Sequence, residues 1–305
     1  MTGAVFQNEP LPYRANACRS PQSLLPCNPV DDTASNLQTK TVAVIPARYG
    51  SRRLPGKALL PVGNRPLILW VAERARAART VARVIVATDD ARILEIVNAA
   101  GFEARMTRDD HASGTDRVAE VAGDLDAEII VNVQGDEPLI DPETIDRAVN
   151  ALVNDPSAQM ATTSEPIGDV DDVMSPTVVK VEVDEDGYAA NFSRNPIPFP
   201  NQAVSKHGSI EAALGAEPAL LFSFKKHTGL YVYRRDFLLE FATWPPTDLE
   251  RRESLEQLRA LEHGVKIRVV GAATPSIGVD TEDDLERVRV IVETERKVSG
   301  ALARP

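Results

Sequence analysis

The 305-residue chain has two cysteines and four histidines, and no apolar run approaches the roughly 18 residues that span a membrane. Both cysteines, Cys18 and Cys27, lie within residues 1–40. A single pair without histidine neighbours excludes a zinc site and a disulfide framework, and it gives no sign of an oxidising compartment. The sequence therefore predicts a protein without a membrane span, and we expect it to be cytoplasmic.

Positive charge is also scarce, because 34 Lys and Arg stand against 45 Asp and Glu and the formal net charge is −11. This balance excludes general nucleic-acid binding, since affinity for a phosphate backbone comes from basic surface. The length and the 43% hydrophobic content allow a large core, in one α/β domain with or without a small inserted lobe. Residues 1–40 lack the pattern of a signal peptide, and we expect a disordered extension or an overlong start there.

Acidic residues are missing from Thr33 to Ala72, the stretch that contains VAVIPARYGSRRLPGK at positions 42–57. This pattern predicts a buried parallel strand followed by a glycine-containing cationic loop. The cations are Arg48, Arg52, Arg53 and Lys57. An open α/β sheet binds a polyanion such as a nucleoside triphosphate at such a place, the carboxyl end of a strand. From the charges alone, a solvated basic turn stays an alternative.

Two common phosphate-binding motifs are absent. A P-loop has four residues between its glycines and a Ser or Thr after its lysine, whereas five residues separate Gly50 from Gly56 and Ala58 follows Lys57. The GxGxxG fingerprint of dinucleotide-binding domains is missing too. A nucleotide site in this chain must therefore use another architecture.

Strands and helices alternate along the chain, which predicts an α/β fold with a largely parallel sheet and right-handed crossovers. The predicted strands cover 42–45, 83–87, 102–106, 128–133, 159–163, 178–183, 225–233 and 266–270. The predicted helices cover 66–79, 90–100, about 117–121, 142–153, 236–241, 254–262 and 281–297. Residues 188–194 are predicted to be extended, 195–222 irregular, and 298–305 a frayed tail.

A strand order of 3-2-1-4 would place the fourth strand beside the first. The acidic loop Gln134–Pro138, which follows the fourth strand, would then meet the cationic loop at the topological switch point. Gly135 would let a ligand approach the backbone there.

Asp136 and Asp280 are the candidate metal ligands, since Mg²⁺ prefers a few carboxylate oxygens together with substrate phosphates. As an alternative, Asp136 caps the helix after Pro142. The alternative interpretation of Asp280 is an acid that stabilises the start of a helix through the helix dipole. However, Thr281 with Asp284 three residues later already forms a capping pattern there.

Several other polar residues have structural interpretations that remain open. Strand alternation places His227, Gly229 and Tyr231 on one face, where a lone histidine is usually a satisfied structural residue. A solvated helix face accounts for Glu256 and Gln257. Arg194 could equally be an ordinary surface arginine.

Seven segments, in order from Thr41 to Glu293, resemble the 3-deoxy-manno-octulosonate cytidylyltransferase family. They are IPARYGSRRLPGK, MTRDDHASGTDR, VNVQGDEP, NFSRNPIP, HTGLYVY, SLEQLRALEHG and GVDTEDDLERV. The resemblance implies a Rossmann-like nucleotidyltransferase over 41–297, with a smaller dimerisation or sugar-side lobe inserted at about 187–245. It also implies a homodimer that needs Mg²⁺ and transfers CMP from CTP to 3-deoxy-D-manno-octulosonate (Kdo), giving CMP-Kdo and pyrophosphate for lipopolysaccharide synthesis.

The resemblance further implies the site residues. Nucleotide binding falls on Ala47, Arg48, Gly50, Arg53, Lys57, Arg108, Ser113, Gly114 and Gln134. The catalytic group is Lys57, Arg53, Asp136 and Asp280, of which the two aspartates hold the metal. Contacts to the acidic sugar fall on Arg194, His227, Tyr231, Glu256 and Gln257. No role is assigned to Arg52.

The chain departs from the family pattern at Thr228, where an aliphatic residue is usual, and over Gln202–Leu221. Both lie on the expected sugar side or dimer surface. The alternatives are therefore CMP activation of another acid sugar, namely an amino-substituted Kdo or a sialic-acid-like nonulosonate, or a non-catalytic nucleotide-binding module. The last predicts damage to the metal pair or to Lys57, and none is visible.

Overall fold

The structure, a computed structural model, describes residues 40–51 and 53–302. The segment expected to be disordered lies outside the described residues except for residue 40, and so do Arg52 and residues 303–305. None of the described helices is long and apolar enough to cross a membrane.

The described strands are β1 Thr41–Ala47, β2 Pro61–Val62, β3 Arg65–Pro66, β4 Arg83–Thr88, β5 Glu103–Met106, β6 Ile129–Asn132, β7 Met160–Pro166, β8 Lys180–Val183, β9 Ala189–Ser193, β10 Lys225–Arg234 and β11 Ile267–Gly271. The described helices are α1 Leu67–Ala77, α2 Ala91–Ala99, α3 Gly114–Gly123, α4 Pro142–Val153, α5 Val170–Met174, α6 Asn201–His207, α7 Ile210–Ala216, α8 Arg235–Phe241, α9 Asp248–Glu253, α10 Gln257–Glu262 and α11 Glu282–Leu302. Short 3-10 turns cover Lys57–Leu59 and Pro218–Ser223.

Nine of these strands form one mixed sheet, with the order β11-β7-β10-β6-β1-β4-β5 and with β8 and β9 joined to it through β10. The β1 strand runs parallel to both β4 and β6, and β4 runs parallel to β5. The order β5-β4-β1-β6 is the predicted 3-2-1-4 arrangement, so this expectation is confirmed. The loops after β1 and β6 consequently leave the same edge of the sheet side by side.

Helices cover both faces of the sheet because successive side chains of a strand point in opposite directions. On one face, Ala43 and Ile45 of β1 belong to a core that includes residues of α1, α4 and α11. On the other, Val42 and Val44 belong to a core that includes residues of α3, α8 and α10. All four side chains are at most 4% exposed, which makes β1 the buried centre of the domain.

The β10 strand runs antiparallel between β6 and β7, in the middle of the main sheet. It lies within the predicted inserted lobe, about 187–245, as does α8. Strands β8 and β9 attach to the sheet through β10, and helices α6 and α7 lie between β9 and β10 in the chain. A role of this region in dimerisation stays a prediction.

Three local expectations are wrong. Residues 195–222 are not irregular, because α6, α7 and a 3-10 turn form there around a small core of Ile167, Val173, Leu214 and Phe224. Helix α3 begins at Gly114 rather than near 117, since Ser113 and Asp116 form a capping box. The helix predicted over 254–262 begins only at Gln257, because Ser254 has the left-handed φ of 54° that ends the preceding helix α9, which was not predicted.

The final helix begins where it was predicted to begin. The side chain of Asp284 accepts hydrogen bonds from the backbone N–H of Thr281, and Thr281 Oγ1 accepts one from the N–H of Asp284. The helix continues to Leu302, through residues that were expected to fray. Its start leaves Asp280 just outside the helix.

The loop after β6 approaches the end of β1 closely at Gly135. A Cβ atom on this glycine would lie 2.6 Å from the backbone oxygen of Pro46, a contact that real Cβ atoms do not make. Only glycine therefore lets these two loops meet at their present distance.

Replacing Gly135 by alanine should destabilise the protein by about 1–3 kcal/mol, because the added methyl group must push two backbone segments apart. Chemical denaturation measures the change. Gly215→Ala in α7 is the matched control, since a Cβ there has no atom within 4 Å. Equal stability of the two variants would contradict the argument.

Candidate active site

The cationic loop after β1 folds back on Tyr49. The backbone oxygen of Tyr49 accepts hydrogen bonds from the N–H of Ser51 at 2.8 Å and of Gly56 at 3.1 Å. Gly56 has a left-handed φ of 67° and lies against the Tyr49 ring. This turn directs the next residue, Lys57, toward the carboxyl end of the sheet.

The ammonium group of Lys57 contacts both candidate metal ligands. Its Nζ lies 2.6 Å from Asp136 Oδ2 and 3.2 Å from Asp280 Oδ1, and it donates a hydrogen bond of 2.8 Å to the carbonyl oxygen of Val279. The Lys57 side chain is 16% exposed. Arg53 reaches Asp280 Oδ1 at 2.8 Å. The cationic loop and the acids of two distant turns therefore converge in the structure, as predicted.

Hydrogen bonds hold the segment 276–281, which contains Asp280, against the acidic loop. The N–H of Val279 donates to the carbonyl oxygen of Asp136 at 2.8 Å. Ser276 donates through its N–H to Glu165 and through its hydroxyl to Glu137. Burial raises the pKa of Glu137 to about 7, although the Ser276 hydroxyl partly offsets this.

A first cavity of about 490 Å³ opens beside these groups. Most of the residues predicted to bind the nucleotide line it: Ala47, Arg48, Arg53, Lys57, Ser113, Gly114 and Gln134. Gly50 and Arg108 do not belong to its lining. The Arg108 side chain is 67% exposed and lies 3.6 Å from the carboxylates of Asp110 and Glu120.

Two residues that the sequence analysis missed, His111 and Arg117, line the same cavity. The guanidinium of Arg117 is buried and reaches Asp89 Oδ2 at 2.7 Å. Asp89 in turn accepts a hydrogen bond of 3.4 Å from the N–H of Tyr49. Arg117 thus connects α3 to the cationic loop. One signal was available, since Arg117 follows the helix-capping Ser113 by one turn and therefore faces the same loop.

A second cavity of about 720 Å³ adjoins the first. The two share Arg53, Gly114, Gln134, Asp136 and Asp280. Four residues predicted to bind the acidic sugar line the second cavity: His227, Tyr231, Glu256 and Gln257. The predicted metal ligands and Gln134 therefore lie at the junction of the two cavities.

His227 is a buried neutral group. Its Nε2 lies 2.9 Å from Thr162 Oγ1, and its ring packs edge to face on Phe192. Burial lowers the pKa of His227 to about 3. A register shift between Thr228 and Tyr231 interrupts the simple strand alternation, yet the rings of His227 and Tyr231 lie 5.4 Å apart. At neutral pH this histidine can offer hydrogen bonds but no charge.

Glu256 does not belong to a solvated helix face, so that alternative is wrong. Its carboxylate accepts hydrogen bonds from Ser113 Oγ at 3.1 Å and Thr115 Oγ1 at 2.8 Å. Burial raises its pKa. The neighbouring Gln257 is 4% exposed, and its Nε2 has no hydrogen-bond partner among the described residues. Because buried donors are normally paired, this amide is available to a ligand.

Arg194 lies behind the wall of the second cavity rather than in it. Its guanidinium donates to the backbone oxygens of Glu253 at 2.9 Å, Pro176 at 3.0 Å and Ser254 at 3.5 Å. It therefore supports the loops that form the wall. A direct contact of Arg194 with the sugar stays a prediction.

No group of three or more His, Cys, Asp or Glu in the described part of the chain could enclose a metal ion. Asp136 and Asp280 nevertheless fit Mg²⁺, because their carboxylates already share one cationic partner and border both cavities. A magnesium ion usually takes one or two protein carboxylates and completes its shell with water and substrate phosphates.

Comparison with known proteins decides the family. Residues 42–267 match the family model described as Cytidylyltransferase. The 3-deoxy-manno-octulosonate cytidylyltransferase of Pelobacter propionicus is 55% identical over 247 residues, which cover 81% of this chain and 95% of that protein. The enzyme of the same name from Geobacter sulfurreducens is 53% identical over 246 residues, 81% of this chain and 96% of that protein. The chain belongs to the 3-deoxy-manno-octulosonate cytidylyltransferase family.

Solved structures agree with this membership. A CMP:2-keto-3-deoxy-manno-octonic acid synthetase complexed with CTP is 42% identical, with a TM-score of 0.75 over 84% of this chain and 99% of that chain. A 4-diphosphocytidyl-2C-methyl-D-erythritol synthase from Anaerococcus prevotii shares the fold at a TM-score of 0.54 and 15% identity, covering 85% of this chain and 99% of that chain. The predicted family and the α/β nucleotidyltransferase fold are confirmed.

His227 should remain neutral between pH 8 and pH 5, in contrast to a free imidazole, which titrates near about 6.5. Because the native pKa of His227 is lowered to about 3, the unfolded chain binds more protons between that value and about 6.5. Its contribution therefore makes the protein less stable as the pH falls from about 6.5 toward the native value. An NMR titration of the ring protons measures this, and a midpoint between pH 6 and 7 would refute it.

Proposed function

We propose that this chain transfers CMP from CTP to the anomeric hydroxyl of Kdo, giving CMP-Kdo and pyrophosphate. The observation that carries the proposal is the junction of two cavities at Gln134, Asp136 and Asp280, with Lys57 between the carboxylates. The names of the relatives and the CTP complex of the solved relative support the choice of substrates and do not favour another acid sugar.

The first cavity suits a nucleoside triphosphate. Arg48, Arg53 and Lys57 line it, and their charges would offset those of the phosphates. The buried Arg117 would keep the cationic loop in place through Asp89 and the backbone of Tyr49. This positioning leaves the phosphates next to the acidic loop.

The second cavity suits a polyhydroxylated acceptor. The Nε2 of Gln257, which has no hydrogen-bond partner in the described part of the chain, would donate to a sugar oxygen. Neutral His227 would exchange hydrogen bonds with a hydroxyl group. Glu256 receives its donors from Ser113 and Thr115, at the start of a helix that borders the first cavity. A ligand in one cavity would therefore affect the geometry of the other through these hydrogen bonds of Glu256.

Asp136 and Asp280 would hold Mg²⁺, which when bound would offset phosphate charge and lower the pKa of the attacking hydroxyl. In the proposed reaction the anomeric oxygen bonds to the α-phosphorus of CTP as the bond to the departing pyrophosphate breaks and the hydroxyl proton leaves. The chain itself does little covalent chemistry. Lys57 and Arg53 would stabilise the charge that grows on pyrophosphate, and the two cavities would align the reactants.

We further propose that the product serves lipopolysaccharide synthesis, that the enzyme works in the cytoplasm where CTP is made, and that it forms a homodimer. Support for the homodimer comes from two exposed aromatic side chains near the α6–α7 region. Phe199 is 49% exposed and Phe222 is 84% exposed, and a second copy of the chain packed on this region would cover them.

Release of pyrophosphate should require CTP and Kdo together, and it should fall to background when EDTA removes divalent metal. A coupled phosphate assay measures it. An amino-substituted Kdo and a sialic-acid-like nonulosonate serve as competing acceptors and should show lower kcat/KM. Absence of turnover with Kdo, or a preference for the nonulosonate, would reject the proposal.

Asp136→Asn and Asp280→Asn should each abolish turnover, a fall of about a thousandfold or more, because the metal loses a charged ligand. Thermal unfolding should show a folded protein in both cases. Asp283→Asn is the matched control, since Asp283 is an exposed acid near Asp280 and lines neither cavity. Nearly normal activity of Asp136→Asn would refute the metal role.

A further inference from the structure

One lysine of the second cavity makes no side-chain hydrogen bond and no ion pair within 4.0 Å among the described residues. Lys226 lies in β10, directly before His227, and lines the cavity with it. Its Cα pairs with Glu165 of β7 on one side and with Lys180 of β8 on the other. The side chain is half-buried. A half-buried ammonium group without a direct hydrogen bond or ion pair is a candidate for binding an anionic ligand.

The other cations in this region are already engaged. Arg53 reaches Asp280 at 2.8 Å. Lys180 donates to three backbone oxygens, of Ser175, Val178 and Arg194, within 3.1 Å. Arg194 donates to backbone oxygens behind the cavity wall, and His227 is neutral. Within the described residues, Lys226 is the cation left for an acidic acceptor.

More acids than cations line the second cavity. The acids are Asp136, Glu137, Glu256, Asp280 and Asp284, whereas the cations that line it are Arg53 and Lys226. A sugar that carries a carboxylate would be repelled by this surface unless one positive group met it.

The nearest acids to Lys226 already have donors of their own. Glu165 accepts the backbone N–H of Ser276 at 2.9 Å, and Glu137 accepts the Ser276 hydroxyl. Neither forms an ion pair with Lys226 within 4.0 Å. Lys226 therefore interacts with these two carboxylates only through the electrostatic attraction of its charge, and its N–H groups are available to a ligand in the cavity.

We propose that Lys226 binds the carboxylate of the acid sugar and thereby selects acidic over neutral acceptors. This inference rests on the proposed function, since it concerns the acceptor of that reaction. It assigns the carboxylate contact to a residue of β10 rather than to Arg194, and it makes acceptor specificity an electrostatic property of one side chain.

The test compares Kdo with its neutral carboxamide, which has the same shape without the charge, in CTP-dependent pyrophosphate release. In Lys226→Met the kcat/KM for Kdo should fall about ten- to a hundredfold, the loss typical of one charged contact. The KM for CTP should change less than about twofold. The preference for Kdo over the carboxamide should fall by the same factor as kcat/KM for Kdo. Lys226→Arg should keep most of that preference.

Lys225→Met is the matched control, because Lys225 is an exposed lysine of the same strand that does not line the cavity. It should behave like the unchanged protein. If Lys226→Met does not fold, Lys226→Gln takes its place in the same comparison.

The outcomes separate the two proposals. If the unchanged protein makes CMP-Kdo but Lys226→Met keeps the full preference for Kdo over the carboxamide, the role of Lys226 is refuted and the proposed function stands. Equal losses with both acceptors would indicate a structural role and would also refute it. If the unchanged protein gives no product from CTP and Kdo, both proposals fail.

Discussion

The contact of one ammonium group with two carboxylates organises this molecule. Lys57 lies between Asp136 and Asp280, and each of the three residues comes from a different loop. Since like charges repel, the two aspartates can lie together only with a cation between them. Lys57 supplies that cation within the protein, and a metal with its triphosphate would share the same carboxylates.

The sheet brings these loops together, and small residues set their spacing. The parallel pairing of β1 with β4 and β6 places the cationic and acidic loops at one edge. At Gly135, the missing side chain allows the acidic loop to touch the backbone of Pro46. At Gly229, a Cβ would lie 3.0 Å from the Gln134 side chain, which would have to shift slightly to make room for it.

Burial shifts the pKa values of several polar groups in the site. His227 is neutral because its surroundings exclude water, and the raised pKa values of Glu137 and Glu256 come from the same cause. The first cavity is lined by cations of the loop after β1. The second shares Arg53 with it and adds Lys226 beside the neutral His227 and Gln257. This difference suits a polyanion in the first cavity and a singly charged sugar in the second.

Much of the fold could be predicted from local pattern. The order of β5, β4, β1 and β6 followed from alternating strands and helices, and the cationic and acidic loops followed from their positions after buried strands. Most of the site residues that the family resemblance implied line one or both cavities. Local sequence determines such features because strand burial, turn residues and caps act over a few positions.

Tertiary structure alone decided the rest. The antiparallel β10 between β6 and β7, the left-handed Ser254 that separates two helices, and the helices within 195–222 depend on contacts between distant segments. Arg194 and Arg108 do not line the cavities. Backbone oxygens bind Arg194, and neighbouring acids lie beside Arg108. The partner of a long charged side chain is chosen by what surrounds it in space, and sequence spacing does not contain that information.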